Sequence, residues 1–283
     1  MPSTSPTLLT TRPPRDLAEW AVRFDSECLP VLEGTAARIE ELRGSEDGVD
    51  AHLLAEQIEN DPLMTLKVLA HLARLRRGRE GSDVETLTAA LVMLGIPPFF
   101  QAFGPQPTAE ARLVGRPHAL EGFRRVLRRS HRAARFAIGF AVHRMDHDAP
   151  VIHAAALLHD FAELLLWLEA PELAVQIACR QRADPTLRSA VVQRDVLKIE
   201  LASLQHHLMV TWRLPRLLVE ITNDHAERET PQLANVRLAI RVARHSAEGW
   251  DNAALPDDFA DIGKLLQLRP AHVERLLQDI DSE

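Results

Sequence analysis

Residues 154–167 read AAALLHDFAELLLW, an aliphatic run broken only by the adjacent pair His159-Asp160 and by Glu163. A run of this kind is the buried centre of a helical protein. A histidine and a carboxylate inside it are costly to desolvate, so the fold must bring either a partner or a metal to them.

Outward from this run the apolar residues keep helical spacing almost to both ends, and no strand pattern is visible. On the C-terminal side, prolines at Pro150, Pro171, Pro185, Pro215, Pro231, Pro256 and Pro270 mark breaks or starts. They predict helices over roughly 118–145, 150–168, 171–182, 186–197, 199–213, 215–227, 231–247, 256–266 and 270–281. On the N-terminal side, Leu17, Trp20, Ala21 and Phe24 form one stripe, and Val31, Thr35, Ile39 and Leu42 form the next. Asp61-Pro62 opens a helix that should turn Leu66, Leu69, Leu72 and Leu75 inward and close at Arg76-Arg77-Gly78, and Ser82-Asp83 should cap Val84 to Leu94. Pro97, Pro98, Gly104, Pro105, Pro107 and Gly115-Arg116-Pro117 crowd the middle. The expected organisation is a disordered, Ser/Thr/Pro-rich lead-in over 1–15, an N-terminal helical subdomain over 16–112 and a C-terminal helical bundle over 113–283, all-α throughout.

The 283 residues are 46% hydrophobic, enough for a substantial core, and carry a net charge of -7, so no general attraction to nucleic acid or an anionic membrane is expected. Cys28 and Cys179 lie far apart outside any CxxC spacing and read as reduced structural thiols. No uninterrupted apolar stretch is long enough for a membrane span and no leader pattern opens the chain, so the expected setting is cytoplasmic. Glycine-rich phosphate loops, a dinucleotide fingerprint and a serine nucleophile elbow are all missing.

Several ordered segments resemble the HDOD (HD-related output domain) family of bacterial signal-transduction proteins. They are Leu29-Pro30, Ile58 to Met64 followed by Leu66 to Ala73, Thr86 to Gly95 (TLTAALVMLG), His131, Ala154 to Leu166, and Trp212-Arg213-Leu214-Pro215. The resemblance implies an N-terminal helical subdomain packed on a bundle related to the HD metal-dependent phosphohydrolases, in proteins that usually signal and often lack activity. In those enzymes a histidine, a His-Asp pair and a distant aspartate hold a divalent metal that activates water. His131, His159 and Asp160 match the first three. The last falls on Ile240, and a shifted register offers only Asn235, a neutral amide and a poor replacement for a carboxylate. Where cyclic-dinucleotide hydrolases read HDxGK, this chain has Phe161-Ala162-Glu163, and the histidine that many HDOD sequences carry ahead of Trp-x-Leu-Pro is Leu201 here.

Two further features stand out. Arg124, Arg125, Arg128, Arg129, Arg132 and Arg135 make a cationic face, of which Arg124, Arg125, Arg128 and Arg132 are candidates for binding an anion or a partner. No aromatic or amide residues interleave them to read bases, which argues against nucleic acid. In the segment Ala243 to Asp258, Gly249 should permit a turn and Trp250 should fold back onto the bundle. The expectation is a non-catalytic signalling module, without a required cofactor, that binds a protein partner or small regulatory ligand. Self-association as a homodimer is left open. The alternative is an HD-type phosphohydrolase with a divalent metal on His131, His159, Asp160 and Asn235.

Overall fold

The computed structural model describes residues 12–77, 84–184 and 186–282. These form seventeen α-helices, and among them the only β pairing is one isolated parallel bridge between Val31 and Thr108.

The N-terminal helices are α1 (Leu17–Ala21), α2 (Glu33–Arg43), α3 (Ala51–Ile58), α4 (Pro62–Leu75), α5 (Leu87–Leu94), α6 (Ile96–Ala102) and α7 (Ala109–Arg112). Asp61 starts α4 as expected: its Oδ1 accepts from the backbone N–H of Leu63 at 2.9 Å and of Met64 at 3.0 Å. Its Oδ2 also accepts from Leu32 N–H at 2.7 Å, tying the extended segment after Pro30 to the helix start. Lys67, also buried, donates to Leu29 C=O at 2.7 Å and so holds the other side of the same segment.

Two expectations here need correction. Thr86, whose hydroxyl accepts from Ala89 N–H at 3.1 Å, caps α5, and Val84 and Glu85 precede the helix. The expected caps Gly78 and Ser82-Asp83 lie outside the described residues. Leu75 is 50% exposed rather than inward, because the last turn of α4 runs past the edge of the core.

The C-terminal helices are α8 (Pro117–Arg144), α9 (Ala149–Leu158), α10 (Phe161–Glu169), α11 (Pro171–Ala183), α12 (Ser189–Leu197), α13 (Leu201–Thr211), α14 (Arg216–Ile221), α15 (Pro231–His245), α16 (Leu255–Leu266) and α17 (Pro270–Ser282). Prolines occupy the first turns of α8, α11, α15 and α17, where a missing N–H leaves nothing unsatisfied. The 28-residue α8 is the spine. It buries Phe123, Phe136 and Phe140 against α9, α10 and α15. At Gly139 the absent side chain makes room for α17: a Cβ there would lie 2.5 Å from Ile280 Cδ1.

Several contacts join the halves. Trp20 of α1 is fully buried, and its indole donates to Leu197 C=O at 3.0 Å, so α1 packs on the C-terminal bundle beside α13. Arg112 and Glu169 form an ion pair between α7 and the end of α10. The one stretch among the described residues long and apolar enough to cross a membrane, Ala149–Glu169, has 83% of its most apolar window buried inside the protein and serves as core.

Candidate functional site

The run expected as one helix over 150–168 is two. Helix α9 ends at Leu158 and α10 begins at Phe161, with His159 and Asp160 at the joint. Asp160 occupies the N-cap position of α10 but makes no capping hydrogen bond. Its oxygens are taken by cations, an interaction stronger than capping, and the break aims them there.

Arg129 of α8 donates from Nε to Asp160 Oδ2 at 2.8 Å and from Nη2 to Glu163 Oε2 at 2.6 Å. Arg244 of α15 donates from Nη2 to Asp160 Oδ1 at 2.6 Å. His159 lies between two carboxylates, with Nδ1 3.1 Å from Asp160 Oδ1 and Nε2 3.0 Å from Asp224 Oδ1. Burial alone would lower the His159 pKa, yet the hydrogen bonds and charges of Asp160 and Asp224 outweigh it and push it up to about 9. Burial would raise the Asp160 carboxyl, but Arg244, Arg129 and His159 hold it well below its ordinary value. Asp224 is likewise lowered, its partial burial overcome by His159.

His131 does not join this cluster. Its Nε2 donates to Asn60 C=O at 2.7 Å, linking α8 to the turn before α4. The reason is helical register: a residue two positions from Arg129 points roughly 200° away around the axis. Asn235 is also elsewhere, buried with its amide donating to Ala137 C=O at 3.2 Å and its Oδ1 unpartnered. Ile240 packs in the core, and Arg244, one turn further along α15, is the residue that reaches Asp160.

A divalent metal does not fit this arrangement. An imidazole needs a free lone pair to ligate, whereas both nitrogens of His159 face carboxylates. Both oxygens of Asp160 accept from guanidinium groups. Among the described residues no group of three or more His, Cys, Asp or Glu has metal-binding geometry.

The cluster forms one end of a cavity of about 400 Å³ between α10, α11, α12 and α13. Leu166, Trp167, Ile177 and Leu201 contribute apolar wall, and Gln181, Gln193 and Gln205 contribute carboxamides. Trp167 is held by close packing on α8: a Cβ at Gly122 would lie 2.3 Å from its ring.

The arginine face divides. Arg129 turns into the site. Arg132 grips α17 through Asp281 at 2.7 and 2.8 Å and stacks over Phe136 and Trp250, so it is a structural anchor. Arg128 pairs on the surface with Glu121 at 2.8 Å, and Arg124 and Arg125 are exposed near the same carboxylate, which the three keep acidic. Trp250 does fold back, edge-on to Phe136 at 6.4 Å between centroids, after a turn at Gly249 with φ +134°.

Asp224 and Arg244 escape a reading by motif. Helix α14 stops at Ile221 rather than near 227, which places Asp224 in a turn beneath His159. The polar run Thr222 to Thr230 ahead of Pro231 is the signal for that turn.

Among solved structures the chain is similar to a MmoQ response regulator from Methylococcus capsulatus, with a TM-score of 0.69 and 20% identity over 89% of this chain and 98% of that one. It is also similar to a virulence factor from Campylobacter jejuni, with a TM-score of 0.62 and 17% identity over 94% of each chain. At these identities the likeness is one of fold. No functionally curated relative is detectably similar. The HDOD domain family matches residues 29–228. That span takes in the Leu29-Pro30 segment, both partners of the His131–Asn60 link, the His159-Asp160 joint and the Asp224 turn. The chain belongs to the HDOD family.

Proposed function

We propose that this protein is a regulatory module that works by binding, with no phosphoester chemistry of its own. The observation that carries the reading is the saturation of Asp160. Arg129, Arg244 and His159 use both of its oxygens, so neither a metal nor a water-activating base is free at the joint. In place of a metal, two guanidinium groups supply the positive charge that this carboxylate needs and tie α8 and α15 to it. The cavity beside the cluster supplies room for a small regulatory ligand.

The test is to incubate the purified full chain with Mn²⁺, Fe²⁺ or Mg²⁺ and bis-p-nitrophenyl phosphate or a cyclic dinucleotide, following product release and thermal stability. The expected result is no turnover and no metal-dependent rise in Tm. Turnover that disappears in His159→Ala would establish the opposite reading, an HD-type phosphohydrolase.

A further inference from the structure

The cavity next to the His159-Asp160 joint has a chemistry that narrows its ligand. Its carboxylates Asp160, Glu163, Glu200 and Asp224 at least balance Arg129, Arg244, His159 and His225, so the wall has no net positive charge. The cations facing Asp160 are already engaged: Arg129 with Asp160 and Glu163, Arg244 with Asp160, His159 with Asp160 and Asp224. A phosphate entering here would meet carboxylates without gaining an uncommitted guanidinium.

What remains uncommitted is amide, together with the indole N–H of Trp167. Gln205 of α13 lines the cavity at 5% exposure, and its carboxamide makes no hydrogen bond to any described residue. On the same wall the buried indole N–H of Trp167 also has no partner, and such groups in native proteins are normally satisfied. Gln193 uses only its oxygen, accepting from Leu201 N–H at 3.0 Å, and Gln181 only its nitrogen, donating to Ser189 Oγ at 2.7 Å. Each keeps the other half of its amide available. Apolar wall from Leu166, Trp167, Ile177 and Leu201 accompanies these three carboxamides. A carboxamide pairs in two-point fashion with a donor and acceptor fixed side by side, the pattern on the edge of a heterocyclic base. Apolar walls suit the faces of such a ring.

We propose that the cavity binds an uncharged heterocycle of the purine or pyrimidine kind, as base or nucleoside, with Gln205 reading its edge, and that it disfavours the phosphorylated forms. This deepens the binding reading above and rests on it.

The experiment is calorimetric titration of the full chain with adenosine, guanosine, cytidine and uridine, with their 5′-monophosphates, and with inorganic phosphate. The expected result is saturable binding of at least one nucleoside at one per chain, with its monophosphate weaker by about tenfold or more. Gln205→Leu removes the amide at similar volume and is expected to weaken that nucleoside by about tenfold or more. Should Gln205→Leu fail to fold, Gln181→Leu, at a half-buried position beside Ser189, carries the same test of amide recognition. The proposal is overturned if none of the four nucleosides binds at millimolar concentration, if a monophosphate or phosphate binds more tightly, or if the folded glutamine variant keeps full affinity. Phosphoester turnover is a separate readout: its appearance overturns the regulatory reading, whereas an inert protein that ignores nucleosides overturns only the ligand class.

Discussion

Arg244 Nη2 lies 2.6 Å from Asp160 Oδ1, a contact made one helical turn beyond the buried Ile240 of α15. Positive charge opposite Asp160 is thus supplied from α15 by a guanidinium, as it is from α8 by Arg129. The two arginines are not equivalent. Arg129 is 18% exposed and Arg244 48% exposed at the side chain, against 8% for Asp160. Although Arg244 acts at least as strongly on the Asp160 charge, Arg129 is the more buried partner, and Arg129→Met, which leaves a buried carboxylate short of it, is expected to destabilise by about 3 kcal/mol. Solvent screens Arg244, so Arg244→Met is expected to lose about 1 kcal/mol or less. Urea denaturation followed by circular dichroism measures both, and equal losses would show that burial does not rank these contacts.

The pH dependence follows from His159. Its folded pKa of about 9 stands above the ordinary 6.5, so its contribution to stability is complete below about 6.5 and fades as pH rises through about 9. Asp160 has the opposite sign: its folded pKa lies below the ordinary 3.8, so its contribution is complete above that value and fades as pH falls further. Stability from this pair is therefore greatest between about 4 and 6.5. Urea midpoints measured from pH 6 to pH 10 should decline for the native chain, and the decline should flatten in His159→Gln. An unchanged slope in that variant would assign the decline to other groups.

Gly122→Ala tests the cavity wall. The new methyl would sit 2.3 Å from the ring of Trp167, which has buried neighbours on α10 and cannot retreat without moving into the cavity. Overpacking of this kind is expected to lose about 1–3 kcal/mol. The accompanying observation is a shift in tryptophan fluorescence, removed by Trp167→Phe. A native-like Tm and an unchanged spectrum would mean that α8 and α10 separate more easily than their packing implies.

Trp20 is the test of how the first helix is held. It is fully buried and donates to Leu197 C=O, so Trp20→Ala should lose about 3–5 kcal/mol from packing and leave that carbonyl unpaired. Trp20→Phe keeps the ring stack on Phe24 and should lose less. Proteolysis should then cut first between α1 and α2. If the cut falls in the C-terminal bundle instead, α1 is not the piece this side chain secures.

Helix order was readable from the chain because its punctuation is chemical. Within a helix proline is tolerated in the first turn, and Pro62, Pro171, Pro231 and Pro270 stand there, whereas Pro117, read as part of the boundary stretch, opens α8. What periodicity could not supply was partners. It marks Arg129 and Arg132 as polar positions of one helix and says nothing of Asp160 or Asp281, residues 31 and 149 positions away. It also carried one helix straight through His159-Asp160, because an aliphatic run looks continuous when the charges that bend it come from α8 and α15. Likewise, His131 matched a motif by order while its side chain turned to Asn60, a contact set by rotation about the axis of α8.

That rotation has a mechanical consequence. Arg129, His131 and Arg132 leave a single turn of α8 toward the cavity, the N-terminal helices and α17 respectively. The rod is gripped from three sides at one height, like a key in its lock. A twist or slide of the rod for one neighbour alone would have to break or stretch a contact to another.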